Sequence, residues 1–107
     1  MTQSEEKSRY RLAFLPAALE EWQKLDGSVK EVLRKLLKKR LEQPHLPGAE
    51  LNRNLAGCYK IKLLKQGYRL VYQVKDEQLI VMVIAIAKRE DSLVYRLAIE
   101  RLLSDLP

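Results

Sequence analysis

Residues 58–90 read CYKIKLLKQGYRLVYQVKDEQLIVMVIAIAKRE, and the periodicity of this stretch decides the fold. Tyr59, Ile61 and Leu63 alternate with Lys60 and Lys62, the two-residue period of a strand with one apolar and one cationic face. Gln66-Gly67 marks a hairpin turn, after which Tyr68, Leu70, Tyr72 and Val74 alternate with Arg69, Val71 and Gln73. Asp76-Glu77 supplies a second turn. Residues 79–87 are almost wholly apolar, as expected of a strand covered on both faces, and run into Lys88-Arg89. Three consecutive strands result, with Lys60, Lys62, Arg69, Lys88 and Arg89 on them or at their ends.

On the N-terminal side, residues 10–15 (YRLAFL) predict a first strand that stops at Pro16, a residue suited to the first position of a helix. Ala18, Leu19, Trp22 and Leu25 carry a helical period that Asp26-Gly27 interrupts. Ser28 with Glu31 matches a capping box, and Val29, Val32, Leu33, Leu36, Leu37 and Leu41 extend a second helix to Pro44. Two amphipathic helices joined by a tight turn form an αα-hairpin. Its outer cations, Lys30, Arg34, Lys35, Lys38, Lys39 and Arg40, are either a solubilising face or a contact surface for nucleic acid or the ribosome.

Residues 43–57 (QPHLPGAELNRNLAG) predict a loop with a short strand near 50–53, and its His45, the single histidine, reads as solvated. Beyond residue 90, Asp91 or Ser92 can cap a last helix with the stripe Val94, Leu97, Ala98, Leu102 and Leu103. The fold class is therefore α+β: an antiparallel β-sheet of about four strands, an N-terminal αα-hairpin on one face, a concave basic surface on the other, and a C-terminal helix. Tyr59, Ile61, Leu70, Tyr72, Ile84 and Trp22 are the expected core.

A chain of 107 residues that is 47% hydrophobic suffices for one domain, placed at 10–107, with polar residues 1–9 as a disordered extension. No apolar run approaches the roughly 18 residues of a membrane span, and the N-terminus has no apolar signal region. Together with the lone Cys58, which excludes an intrachain disulfide and reads as buried, this predicts a cytoplasmic protein. No metal-ligand spacing or cofactor motif is present, so no metal and no cofactor are expected.

The net charge of +6 favours polyanionic partners. Lys60, Lys62 and Arg69 would lie on adjacent strands about 5 Å apart, where like charges repel and a polyanion relieves the cost. Anion binding is the minimum function. Cleavage of RNA by its own 2′-hydroxyl further needs a base for that hydroxyl, donors for charge growing on phosphorus, and an acid for the leaving 5′-oxygen. With no placed histidine, a lysine among other cations can serve, because crowding disfavours its charged form. An arginine stays protonated and holds phosphate bidentately, while Tyr95 offers a ring for stacking and a phenol.

The run Cys58-Tyr59-Lys60-Ile61-Lys62-Leu63, then Gly67-Tyr68-Arg69-Leu70-Val71-Tyr72-Gln73-Val74, then Lys88-Arg89-Glu90 and Tyr95, closely resembles the RelE toxins of bacterial toxin-antitoxin systems, within the RelE/ParE superfamily. Ala18-Leu19, Glu21-Trp22 and Lys24-Leu25 fit the same family, so the resemblance extends from Tyr10 onward. It implies a RelE-like, microbial RNase-type fold. It also implies a metal-independent mRNA interferase that cuts mRNA in the A site of the 70S ribosome, against 16S rRNA, to leave a 2′,3′-cyclic phosphate. A RelB-type antitoxin would neutralise it, and operator DNA would be contacted only through the antitoxin complex.

Position by position, the resemblance gives Lys60 and Lys62 proton transfer and charge stabilisation, and gives Arg69 the reacting phosphate. Arg89 takes charge stabilisation or leaving-group protonation, and Tyr95 stacks on the substrate or acts as base. Arg53 and Lys88 are further RNA-binding positions, with Asn54 departing from the glycine common there. For each residue the alternative is a solvated charge or an ordinary helix tyrosine. A ParE-like gyrase inhibitor on a similar scaffold, which does not require the lysine-arginine-tyrosine set, is one rival function; a non-catalytic RNA- or ribosome-binding module is another. The apolar stripe of the last helix suggests that an antitoxin could displace it and so move Tyr95.

Overall fold

The structure, a computed structural model, describes residues 9–104; the expected extension at 1–9 lies outside it but for Arg9. Strand β2 (Cys58–Leu63) turns into β3 (Tyr68–Lys75), with Gly67 at a positive φ of 73° that glycine tolerates at no steric cost. A single 3₁₀ turn at Asp76–Gln78 leads through Leu79, itself left-handed, into β4 (Ile80–Lys88). β2, β3 and β4 are antiparallel neighbours as expected. The first strand, β1 (Arg11–Phe14), joins the far side of β4 and runs parallel to it, giving the order β1-β4-β3-β2. The parallel edge has a physical cause: Val81 and Val83 are fully buried, and β1 supplies the neighbour that β4 needs on that side.

Helix α1 (Pro16–Gln23) starts on Pro16 as predicted. Helix α2 (Gly27–Glu42) begins two residues earlier than the capping-box pattern implies, so Asp26 rather than Ser28 is the cap: its carboxylate accepts from Ser28 N at 3.3 Å and from Ser28 Oγ at 2.5 Å. Val29, Leu33 and Leu37 pack from α2 onto Tyr59, Ile61, Leu70, Tyr72, Val81, Val83 and Ile86. Trp22 is half-buried at the margin of this core, against Phe14 and under Arg34.

Only one end of the opposite face, at Lys60, Lys62 and Arg69, is the basic surface expected. Helix α3 (Leu93–Ser104) covers much of the rest, burying Val94 and Ala98 against Cys58, Val71, Ile84 and Ala85. Ile84 and Ala85 can share this face because β4 is bulged. Val71 pairs with Ala85 and Tyr72 with Val83, so Ile84 is an extra residue that resets the alternation. The bulge also moves Lys88: it stands in register with Tyr68, which faces the helical hairpin with Leu63, rather than with Arg69.

The loop before β2 forms one bridge, Glu50 to Tyr59, and two 3₁₀ turns rather than a strand at 50–53. Within it His45 is exposed, as expected, and is also bonded through both ring nitrogens. Its Nδ1 lies 2.8 Å from the Tyr59 hydroxyl and its Nε2 2.8 Å from Asp76 Oδ1, which also accepts from the Tyr10 hydroxyl at 2.6 Å. A neutral ring with its proton on Nε2 satisfies both partners. Tyr72, stacked on Tyr59, donates to the Pro44 carbonyl at 2.9 Å and accepts from Arg40 at 2.8 Å. These bonds tie β1, the loop and the β3–β4 turn together.

The Tyr10 hydroxyl and then the His45 ring hold the Asp76 carboxyl below its usual range. A lowered folded pKa means that the unfolded chain takes up the proton first as pH falls. The stabilisation is therefore present above about pH 3.9 and is lost as pH drops through the lower folded value. Asp76→Asn is expected to flatten the acid limb of urea midpoints measured from about pH 5 to about pH 2; an unchanged limb would show that the network does not couple to folding.

Candidate active site

Alternation along β2 puts Lys60 and Lys62 on the α3 side of the sheet, and the hairpin register sets Lys62 directly opposite Arg69. Arg69 in turn faces Ala87 on β4, a side chain too small to fill the space above the third strand. Lys62 is exposed, while Lys60 and Arg69 are half-buried. Tyr95, on the first turn of α3, completes the group: the Arg69 guanidinium carbon stands 5.6 Å from the centre of its ring.

Arg69 Nε is buried and has no hydrogen-bond partner among the described residues. A buried donor without an acceptor is costly. The ion pairs among the described residues are Arg34–Glu31, His45–Asp76 and Arg101–Glu21, so Lys60, Lys62, Arg69 and Arg89 all lack an acidic partner there. Unneutralised cations around an unsatisfied donor, roofed by an aromatic ring, match the needs of a phosphodiester with its attached base.

Arg89 leaves β4 beside this group. Its backbone N–H donates to the Gly67 carbonyl at 2.8 Å, and its side chain is exposed. The chain then reverses through Asp91 (φ 41°) and Ser92 (φ 60°), both left-handed, before α3. Such backbone costs free energy outside glycine, and strain of this kind gathers at functional sites. Ser92 takes the cap position, its carbonyl accepting from Tyr95 N and Arg96 N, while Arg96 Nη1 donates to the Asp91 carbonyl at 2.5 Å. The reversal thus brings Arg89 and Tyr95, six positions apart, to one end of the sheet.

Two RNA-binding candidates stand apart. Lys88 follows the bulge to the other face, and Arg53 (φ 57°) sits exposed in the turn Arg53–Leu55 before β2. Cys58 is fully buried, and burial pushes its thiol up to about 11, so a thiolate nucleophile is disfavoured. No group of three or more His, Cys, Asp or Glu among the described residues could hold a metal ion, and no described helix is long and apolar enough to cross a membrane. The sequence pattern left out the anchor of α3, the ion pair between Arg101 and Glu21, since no local period links residues 80 apart.

Residues 12–93 match the family described as ParE toxin of type II toxin-antitoxin system, parDE. A RelE-like toxin of Escherichia coli is 54% identical over 94 residues, covering 88% of this chain and 98% of that protein. The mRNA interferase toxin RelE of Escherichia coli (strain K12) is 50% identical over 94 residues, with the same coverage. A structure of the free E. coli toxin RelE, carrying two arginine-to-alanine changes, superposes with a TM-score of 0.80 at 48% identity over 88% of this chain and 98% of that one. The toxin in the intact E. coli RelBE toxin-antitoxin complex gives a TM-score of 0.71 at 49% identity, over 76% and 98%.

An anion seated at Arg69 should be visible without RNA. Inorganic phosphate is expected to raise the thermal midpoint above that in chloride at equal ionic strength, and Arg69→Gln to abolish the excess. Equal midpoints in the two salts for the wild-type chain would count against an anion site here.

Proposed function

Since the chain belongs to the RelE family of toxins from type II toxin-antitoxin systems, we propose that it is a ribosome-dependent endoribonuclease, a metal-independent mRNA interferase that inhibits translation. The observation that carries this is the half-buried Arg69, with its unpaired Nε, set between Lys62 and Tyr95. The substrate is mRNA in the A site of the 70S ribosome. The 2′-hydroxyl attacks the adjacent phosphorus, the bond to the 5′-oxygen breaks, and a 2′,3′-cyclic phosphate remains.

In this mechanism Arg69 grips the reacting phosphate, and Lys60 and Lys62 stabilise the growing charge and take part in proton transfer. Arg89, on its exposed side chain at the strand end, stabilises charge or protonates the leaving oxygen; Tyr95 stacks on a base or removes the 2′-hydroxyl proton. Arg53 and Lys88 contact RNA outside the reacting centre. A site without a histidine pair gains most from orientation, and fixing the 2′-hydroxyl in line with phosphorus is worth on the order of 7 kcal/mol or more. The ribosome, through 16S rRNA, supplies that orientation.

The partner that restrains the enzyme is a RelB-type antitoxin, in line with the toxin-antitoxin complex that the fold resembles. Operator DNA is reached only through that complex, and the site of action is the cytoplasm, where translation occurs. The antitoxin displaces α3 and moves Tyr95 away from Arg69. Hydrogen exchange across 93–104 is expected to change when antitoxin binds, and unchanged protection would rule displacement out.

Mapping mRNA 5′ ends on programmed ribosomes tests the function. Wild type is expected to cut in the A site, and Arg89→Ala to cut at least tenfold more slowly, roughly the loss of one charge-stabilising group. Absence of a wild-type cut would remove the nuclease assignment, and inhibition of gyrase supercoiling instead would favour ParE-type action. An Arg89→Ala variant as fast as wild type would remove Arg89 from the site.

A further inference from the structure

On the basis of the proposed nuclease function, we infer that Glu21 and Arg101 form a latch that fixes α3 on the sheet and so positions Tyr95 over Arg69. Arg101 donates through Nη1 to Glu21 Oε1 at 2.9 Å and through Nη2 to Glu21 Oε2 at 2.8 Å. Nη1 also donates to the Ile84 carbonyl at 2.9 Å, and Glu21 Oε1 accepts from Ile86 N at 3.0 Å. The pair therefore satisfies two backbone groups that the β4 bulge leaves beyond the end of β1, where no strand is present to take them. One side chain comes from the helical hairpin and the other from α3, so the latch clamps β4 from both sides.

The other apolar contacts of α3 are shallow, with Leu97, Ile99 and Leu102 only partly buried against the sheet. Its 12 residues are too few for a stable isolated helix, and its fully buried anchors are Val94 and the small Ala98. Its C-terminal half is flanked by two clefts. One of about 430 Å³ opens between Leu102, Leu103 and the end of β3 at Val74 and Lys75. The other, of about 390 Å³, lies between Arg101, Ser104 and the start of α1 at Leu15 and Pro16. Between these gaps Arg101, only 19% exposed, is the polar tie that sets the tilt and rotation of the helix. Arg101 lies six residues past Tyr95, about 9 Å along the axis. A rigid helix carries a shift at one to the other.

Arg101 and Glu21 touch no substrate in this account. They are positioning residues, and their signature is dependence on Tyr95. In single-turnover cleavage on programmed ribosomes, Arg101→Ala is expected to slow the cut roughly tenfold. The ribosome concentration for half-maximal rate should change by less than about twofold, and Arg101→Lys should recover part of the loss. In a Tyr95→Ala background the same Arg101→Ala change is expected to cost less than about twofold, since coupled residues do not add. Arg101→Lys carries the same cycle if the alanine variant does not fold.

A wild-type rate for Arg101→Ala, or an undiminished loss on top of Tyr95→Ala, would overturn the latch. So would a Tyr95→Ala variant that cuts as fast as wild type. Hydrogen exchange separates the latch from the nuclease assignment: Arg101→Lys is expected to speed exchange throughout α3, including Tyr95 and Arg96. Unchanged protection there would overturn the latch even if the wild type cleaves. Faster exchange with no wild-type cleavage would keep the latch and remove the nuclease.

Discussion

Everything in this molecule is arranged to bury β4 on four sides. Its apolar residues are covered by α1 and α2 on one face and by α3 on the other, while β3 and β1 occupy its two hydrogen-bonding edges. β1 is short, however, and beyond Val83 the second edge would be bare. Where the strand cannot be paired it is bulged, and the Glu21–Arg101 ion pair takes over the backbone groups. Such a pair brings little net stability by itself, but losing one partner would leave a half-buried charge and one unsatisfied backbone group, the Ile84 carbonyl without Arg101 or the Ile86 N–H without Glu21.

The cation cluster follows from where this burial stops. α3 closes the sheet over Cys58, Val71 and Ala85 and ends its coverage with Tyr95, so the next positions along the same face, Lys62 and Arg69, meet solvent beside an aromatic ring. Ala87, opposite Arg69, adds only a methyl group at that end. The sheet thus holds like charges together on β2 and β3 with no acidic side chain paired to them among the described residues. Strong preorganisation of this sort is what an electrostatic catalyst requires.

Much of this was legible in the residues. Alternation set Lys60 and Lys62 on one face, and the Gln66-Gly67 turn set Arg69 against Lys62, because both depend on local period and turn chemistry. Arg89 and Tyr95 were candidates by residue type, but what set them in one group with Arg69 was family resemblance, since the left-handed reversal at Asp91 and Ser92 has no glycine to announce it. Lys88 shows the limit most clearly. Counted by strict alternation from Val83 it belongs on the face of Arg69, and the bulge at Ile84 sends it to the other. An all-apolar strand carries no mark of such a slip. The bridging role of His45 and the parallel placement of β1 likewise depend on partners 31 and 69 positions away, beyond any local pattern.

The parallel pairing of β1 with β4 also orders assembly in time. Arg11 meets Ile80, so the first strand and the two helices after it are synthesised long before the surface that buries them exists. Contacts of such sequence separation close late and slow the search for the native state. The hairpins β2–β3 and β3–β4 can form locally, and β1 then completes the sheet from outside. Lys62, Arg69, Arg89 and Tyr95 lie in the later half of the chain, on elements made after β1 and both hairpin helices. The cation cluster therefore exists only once residues 58–95 have all been made.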